Sequence, residues 1–200
     1  MYANGAEIVD SNLSQQEAIQ ANPDENCPDE VLRGLGLMEV HYWGFDGREH
    51  QGQIVISIHV MPEVDSFFRQ AYDLKFPIEK VVPLSHPDYQ WDGSKVLADN
   101  VSAGFDYRPI KGTDKLSLHS EGLAFDINPK QNPYILYKLE GREVFPKGSK
   151  WKPKTPGTLH PEHKLVKLLE GWGWEWGGHW TEDSGRTDYM HFQKSSLLSQ

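Results

Sequence analysis

Residues 117 to 128 read Ser117-Leu118-His119-Ser120-Glu121-Gly122-Leu123-Ala124-Phe125-Asp126-Ile127-Asn128. Apolar residues alternate here with small or polar ones, so a strand puts Leu123, Phe125 and Ile127 on one face and Gly122, Ala124 and Asp126 on the other. The first face belongs to a core. The second is nearly bare until Asp126, and two side chains that small leave open space beside the backbone. A carboxylate at the end of that space meets the imidazole of His119 from the preceding turn, and a metal fits between them. Taken alone, such a pair reads more readily as a surface histidine and a turn-capping aspartate.

A second cluster changes the weighing. Thr187-Asp188-Tyr189-Met190-His191-Phe192 is a short apolar strand with Tyr189 and His191 on one face and Met190 and Phe192 on the other. A histidine there needs a partner. His119, Asp126 and His191 together supply two imidazoles and one carboxylate, the three-ligand set that leaves a fourth zinc position open for water, which is the arrangement of a catalytic site. Such a site still needs a proton-transferring side chain that is not a ligand, and Asp188, three residues before His191, is placed for that role. Charge developing on a hydrolysed amide needs a cation or donor besides the metal. Arg108, eleven residues before His119, is the candidate, set against the simpler reading of a salt bridge to a surface carboxylate.

Residues 37 to 43 and 53 to 60 are rich in β-branched and aromatic types and flank Asp46-Gly47, which predicts a β-hairpin. Pro62 suits a first helical turn, and Val64, Phe67, Phe68, Ala71 and Tyr72 follow the spacing of one buried helical face. A strand is expected over 78 to 84, a site-bordering loop from Ser85 to Asn100, a turn at Gly112-Thr113, a helix over 161 to 170, and short strands at 172 to 176 and 189 to 193. Residues 1 to 27 are polar and weakly periodic, an N-terminal arm or tail to a single domain over 28 to 200.

Composition sets limits. The chain has 200 residues, 38% hydrophobic and 24% charged, which suits one globular domain, and no apolar run approaches the ~18 residues of a membrane span. A formal net charge of -9 lacks the basic surface that nucleic acid requires. Cys27 is the only cysteine, so neither an intramolecular disulfide nor a multi-thiolate zinc site is open to it, and a bound metal must rest on imidazole and carboxylate.

Tyr107-Arg108-Pro109, Ser117-x-His119-x-x-Gly122-x-Ala124-x-Asp126, Trp176-Gly177-Gly178 and Asp188-x-x-His191-Phe192 together resemble the family of D-alanyl-D-alanine carboxypeptidases, L-alanyl-D-glutamate endopeptidases and vancomycin-resistance D,D-dipeptidases. The resemblance spans roughly residues 95 to 193, with both metal motifs in order. It implies an α+β fold with a small central antiparallel sheet, flanking helices and one zinc ion per chain in a cleft. It further implies cleavage of bonds next to D-amino acids in bacterial peptidoglycan stem peptides. Residue by residue, it implies zinc on His119, Asp126 and His191, a general base at Asp188 and transition-state stabilisation by Arg108. Asp188 resembles the endopeptidase and phage-lysin branch, since the dipeptidases usually carry glutamate. His179 stands before Trp180 where similar sequences often carry aspartate.

Ser117, Tyr107, Trp176 and Trp180 are the candidate substrate contacts; the alternating Trp172, Trp174 and Trp176 otherwise suit a core strand. His41, His50, His59, His86, His160 and His163 lack metal spacing and read as structural or solvated. Stem peptides or muropeptides are the expected partners, and a monomer is expected. No signal peptide is visible at the start. An extracytoplasmic location is expected, with a cytoplasmic, phage-lysin-like one as its alternative. The competing function is a catalytically inactive zinc-bound recognition domain on the same scaffold, as a resemblance to hedgehog-type signalling domains permits. Retention of both Asp188 and Arg108 favours the enzyme.

Overall fold

The structure, a computed structural model, describes residues 6–20, 27–110 and 113–197. Of the expected N-terminal arm, residues 1–5 and 21–26 lie outside the described residues, as does Gly112 of the expected turn. Strand β1 (Ile8–Val9) pairs in parallel with β3 (Glu49–Ser57), which in turn pairs antiparallel with β2 (Leu35–Trp43). Helix α1 (Gln15–Gln20) buries Ala18 and Ile19 against Leu35, Val55 and Phe105, and a shorter helix, α2 (Asp29–Arg33), leads into β2. Ser11 Oγ donates to Gln53 Oε1 at 2.6 Å, tying this segment to the sheet with a buried hydrogen bond.

The β2–β3 hairpin forms about Asp46-Gly47, with Gly47 at φ 75° and Trp43 opposite Glu49. Its second strand starts at Glu49 and stops at Ser57, where the chain turns into α3 (Met61–Asp73). That helix carries Pro62 in its first turn, where the missing N–H costs no hydrogen bond, and buries Val64, Phe67, Phe68 and Ala71. Val64, Phe67 and Phe68 each contribute on the order of 1.5–3 kcal/mol by leaving water. Residues 78 to 84 yield only a two-residue strand, β4 (Lys80–Val81), parallel to β5 (Val101–Ser102); Pro83 lacks the N–H a longer ladder needs. Between them, the expected loop contains a helix, α4 (Gly93–Ala98), because Asp92 Oδ1 accepts from the backbone N–H groups of Ser94 and Lys95.

The second half forms β6 (Ala124–Asp126), a hairpin of β7 (Tyr134–Lys138) and β8 (Gly141–Phe145), helix α5 (Lys164–Glu170), and the short strands β9 (Glu175–Trp176), β10 (Arg186–Asp188) and β11 (His191–Gln193). Helix α5 begins at Lys164 because His163 Nδ1 accepts from the Leu165 N–H. No helix among the described residues is long and apolar enough to cross a membrane.

The α+β class holds, but the single central antiparallel sheet does not. The described strands fall into four small sheets, ordered β1-β3-β2, β10-β7-β8, β6-β11-β9 and β4-β5. Two of their pairings are parallel. Pro129 and Pro133 interrupt the ladder after β6, so β7 starts a separate sheet. The chain then passes from one sheet to the other at the turn of Tyr189 and Met190, since β10 pairs with β7 and β11 with β6.

Register decides what faces what. Phe192 lies opposite Phe125 and His191 opposite Asp126. Phe125 and Phe192 therefore enter the core together, stacked with centroids 5.4 Å apart and packed against Phe67, while His191 and Asp126 share the other face. The expected open space beside Gly122 is filled: Ser57 N donates to Gly122 O, and a Cβ on Gly122 would lie 2.5 Å from Leu35 Cδ2 and 2.6 Å from Ser57 N. Gly122 also holds φ +63°. Gly122→Ala is therefore expected to cost about 1–3 kcal/mol, a fall in Tm of roughly 2–4 °C per kcal/mol for a chain of this size. Thermal unfolding of the variant measures this, and an unchanged Tm would contradict the close approach.

Candidate metal centre

His119 sits on a 3-10 turn, Leu118–Glu121, whose N-terminus is capped by Ser117 Oγ and whose exit is made by left-handed Gly122. Its Nδ1–H donates to the Gly104 carbonyl at 2.6 Å, which leaves the Nε2 lone pair facing inward. His191 is oriented by a longer chain of bonds. Gln193 Nε2 donates to Glu175 Oε2 at 2.8 Å, so its amide oxygen is the atom that faces His191. His191 Nε2–H donates to that oxygen at 3.0 Å, leaving the Nδ1 lone pair turned toward His119 and Asp126.

The three inward atoms form a near-equilateral triangle. His119 Nε2 is 3.1 Å from His191 Nδ1, His191 Nδ1 is 3.0 Å from Asp126 Oδ1, and His119 Nε2 is 3.3 Å from that same oxygen. His119 and His191 are buried and Asp126 half-buried. Two nitrogen lone pairs and a carboxylate oxygen at such distances repel unless a cation sits among them. Three ligands bound at about 2.0–2.2 Å to one tetrahedral ion lie about 3.3–3.6 Å apart, so the triangle fits a metal with only a slight expansion. These residues form a group that could hold a metal ion. Burial opposes the charge on Asp126, yet His119 and His191 hold its carboxyl well below the usual range. Burial likewise opposes the His191 cation, which Asp126 favours more strongly.

Asp188 comes to the same cleft from the end of β10. Its Oδ1 is buried and has no hydrogen-bond partner. Burial pushes its carboxyl up to about 6, the Asp126 charge adding to the effect while His191, His119 and Arg108 oppose it. Gly177 allows the approach, since a Cβ there would stand 2.6 Å from Asp188 O. A carboxyl held near neutrality without a partner in a cleft is suited to taking and returning a proton.

The cleft has a volume of about 1110 Å³, and Asp188, His119, Asp126 and His191 all line it. Arg108, Tyr107, Ser117 and Trp180 line it too. Arg108 Nε donates to Asp106 Oδ2 at 2.6 Å, and its half-exposed side chain lines the cleft. Burial works against its charge, but Asp106, then Asp126, and Asp188 more weakly, strengthen it. The Ser117 hydroxyl serves as the cap of the His119 turn. Trp176 is placed elsewhere. It lies opposite Phe192, on the core face of its sheet, is 2% exposed, and donates Nε1–H to Tyr189 O. His179 bonds Glu170 at the end of α5 and lies outside the cleft lining. Sequence reasoning missed Gln193, Glu175 and Arg186. The period of two along β10 and β11 holds the signal for two of them, since Arg186 shares a face with Asp188, and Gln193 with His191.

Two buried histidines, a half-buried aspartate, an unpartnered carboxyl and an arginine thus lie along one cleft. Residues 111–194 match the sequence model of a family described as D-alanyl-D-alanine carboxypeptidase, so this part of the chain is similar to that family. The matched stretch includes His119, Asp126, Asp188 and His191, and leaves Tyr107 and Arg108 outside. No curated protein and no solved structure matches the chain.

Proposed function

We propose that the protein is a zinc-dependent peptidase that cleaves peptide bonds adjacent to D-amino acids in peptidoglycan stem peptides, and that it works outside the cytoplasm. The observation that carries this reading is the triangle of His119 Nε2, Asp126 Oδ1 and His191 Nδ1 beside the unpartnered carboxyl of Asp188. His119, Asp126 and His191 would hold the zinc. When bound, zinc supplies Lewis acidity that polarises a carbonyl and lowers the pKa of water. Asp188 takes the proton of the attacking water and delivers it to the leaving amine, a task that suits a carboxyl whose pKa is raised toward neutrality. Arg108 meets the negative charge that gathers on the carbonyl oxygen, held in place by Asp106. A zinc-bound recognition domain would need neither a proton carrier nor this cation, and Asp188 and Arg108 therefore favour the enzyme.

Mass spectrometry of defined muropeptides after incubation tests the reading, since product masses identify the bond. Intact peptides with the zinc-loaded protein would reject it. Two variants probe single assignments. Arg108→Ala should lower kcat by on the order of 10²-fold with a smaller change in KM, because the oxyanion forms only in the transition state. Steady-state kinetics check this, and a rise confined to KM would make Arg108 a ground-state anchor. Gln193→Leu removes the acceptor that orients His191, and zinc affinity should fall by about 10–100-fold. Competition against a chromophoric chelator measures it, and an unchanged affinity would remove Gln193 from the site.

A further inference from the structure

Strand β10 alternates: Thr187 is buried, with its hydroxyl on Trp180 O and Tyr137 Oη, whereas Arg186 and Asp188 both line the cleft. The Arg186 guanidinium lies over the Trp180 ring, 4.8 Å from its centroid, and that ring packs on His191 with centroids 5.5 Å apart. The guanidinium is thus fixed through one indole to a side chain of the metal triangle. The two cleft arginines differ in one respect. Arg108 is already bonded to Asp106, while Arg186 has no carboxylate partner among the described residues. A half-buried, stacked and unpaired guanidinium presents a planar fork of donors to whatever enters, and the group that matches this fork is a carboxylate.

We propose that Arg186 binds a free carboxylate on the residue that follows the scissile bond and so sets which stem peptides are cleaved. The inference rests on the peptidase reading above and adds the substrate's charged group to it. Stem peptides offer that carboxylate in two places: the chain terminus after a D-Ala-D-Ala bond, and the α-carboxylate of a γ-linked D-Glu after an L-Ala-D-Glu bond. Either source presents an anion one residue beyond the attacked carbonyl. Arg108, compensated by Asp106, is left to the carbonyl oxygen.

The test uses the full chain loaded with zinc and four synthetic peptides: one ending in D-Ala-D-Ala, its C-terminal amide, one containing L-Ala-γ-D-Glu, and its D-isoglutamine counterpart. For the pair that is cleaved, amidation should lower kcat/KM by on the order of 10²-fold, the value of a charge-assisted bidentate contact. Arg186→Gln should lower kcat/KM for the free acid by a similar factor and abolish the discrimination, and Arg186→Lys should restore part of it. Which pair responds identifies the source. Zinc content and Tm of each variant should equal those of the parent, which separates this role from a structural one. Equal turnover of acid and amide by the parent, or unchanged discrimination in Arg186→Gln, would overturn the proposal. Should no peptide be cleaved, the peptidase reading fails, and calorimetric binding of the same peptides still decides this one. A preference for the acid that Arg186→Gln removes supports it; the absence of binding or of preference overturns it.

Discussion

Asp188→Asn should leave the protein folded and zinc-loaded while lowering turnover by roughly 10²–10⁴-fold, the range spanned by a positioned proton carrier. The amide has the shape of the carboxylate and cannot accept a proton. Asp188 contributes no atom to the triangle of His119, Asp126 and His191, so metal content should be unaffected. The variant also has a signature in the metal-free protein. The Asp188 carboxyl is raised from its ordinary 3.8 to about 6, chiefly by burial, so the folded state resists its ionisation. The associated stability is fully present below pH 3.8, declines as pH rises toward about 6, and is absent above it. Asparagine never ionises. Asp188→Asn should therefore be more stable than the parent above about pH 6 and show no such advantage below pH 3.8. Denaturant unfolding across that window measures the difference. Loss of zinc with full activity per bound metal would mean that Asp188 is a ligand rather than the base.

His119→Ala and His191→Ala should each abolish stoichiometric metal binding. Either change leaves two protein ligands where a catalytic zinc site uses three, and the loss should exceed the 10–100-fold effect of disturbing an orienting neighbour. The parent should gain about 2.7 kcal/mol of stability at a zinc concentration one hundred times its Kd, and neither variant should gain it at that concentration. Elemental analysis after desalting and zinc-dependent thermal shifts supply the two readouts. Removing one histidine also removes a close imidazole contact of Asp126, so the metal-free variants should not be more stable than the metal-free parent at neutral pH. Full zinc occupancy in either variant would require a different ligand set.

The parts of this centre that were legible in the sequence are those governed by short-range period. Alternation separated Phe125 and Phe192 from Asp126 and His191, and β6 and β11 keep that separation because their register pairs like with like; at Tyr189 and Met190 it fails, because a turn there packs Tyr189 against the core and leaves Met190 lining the cleft. The helical spacing of Val64, Phe67, Phe68 and Ala71 worked for the same reason, whereas Tyr72, expected on that face, is only half-buried with its hydroxyl on Glu49. What escaped depends on contacts distant in sequence. Gly122 read as empty space, whereas β2 and β3, more than 60 residues earlier, pack onto it. Trp176 read as a cleft residue from its place in a motif, while pairing with Phe192 commits it to the core. The single sheet dissolved into four because prolines and a change of partner at Tyr189 and Met190 limit each ladder. Gln193 and Glu175 escaped because an amide two residues from a histidine has no meaning until a carboxylate from another strand fixes which of its atoms faces the ring.

On the proposed function, one metal ion, held by His119, Asp126 and His191, is required for peptide hydrolysis. The most direct test is metal titration of the chelator-stripped protein, following muropeptide products by mass spectrometry alongside metal content. Hydrolysis should be absent without metal, rise linearly with added zinc and reach its plateau at one ion per chain. Undiminished hydrolysis by protein shown to be metal-free would contradict the account.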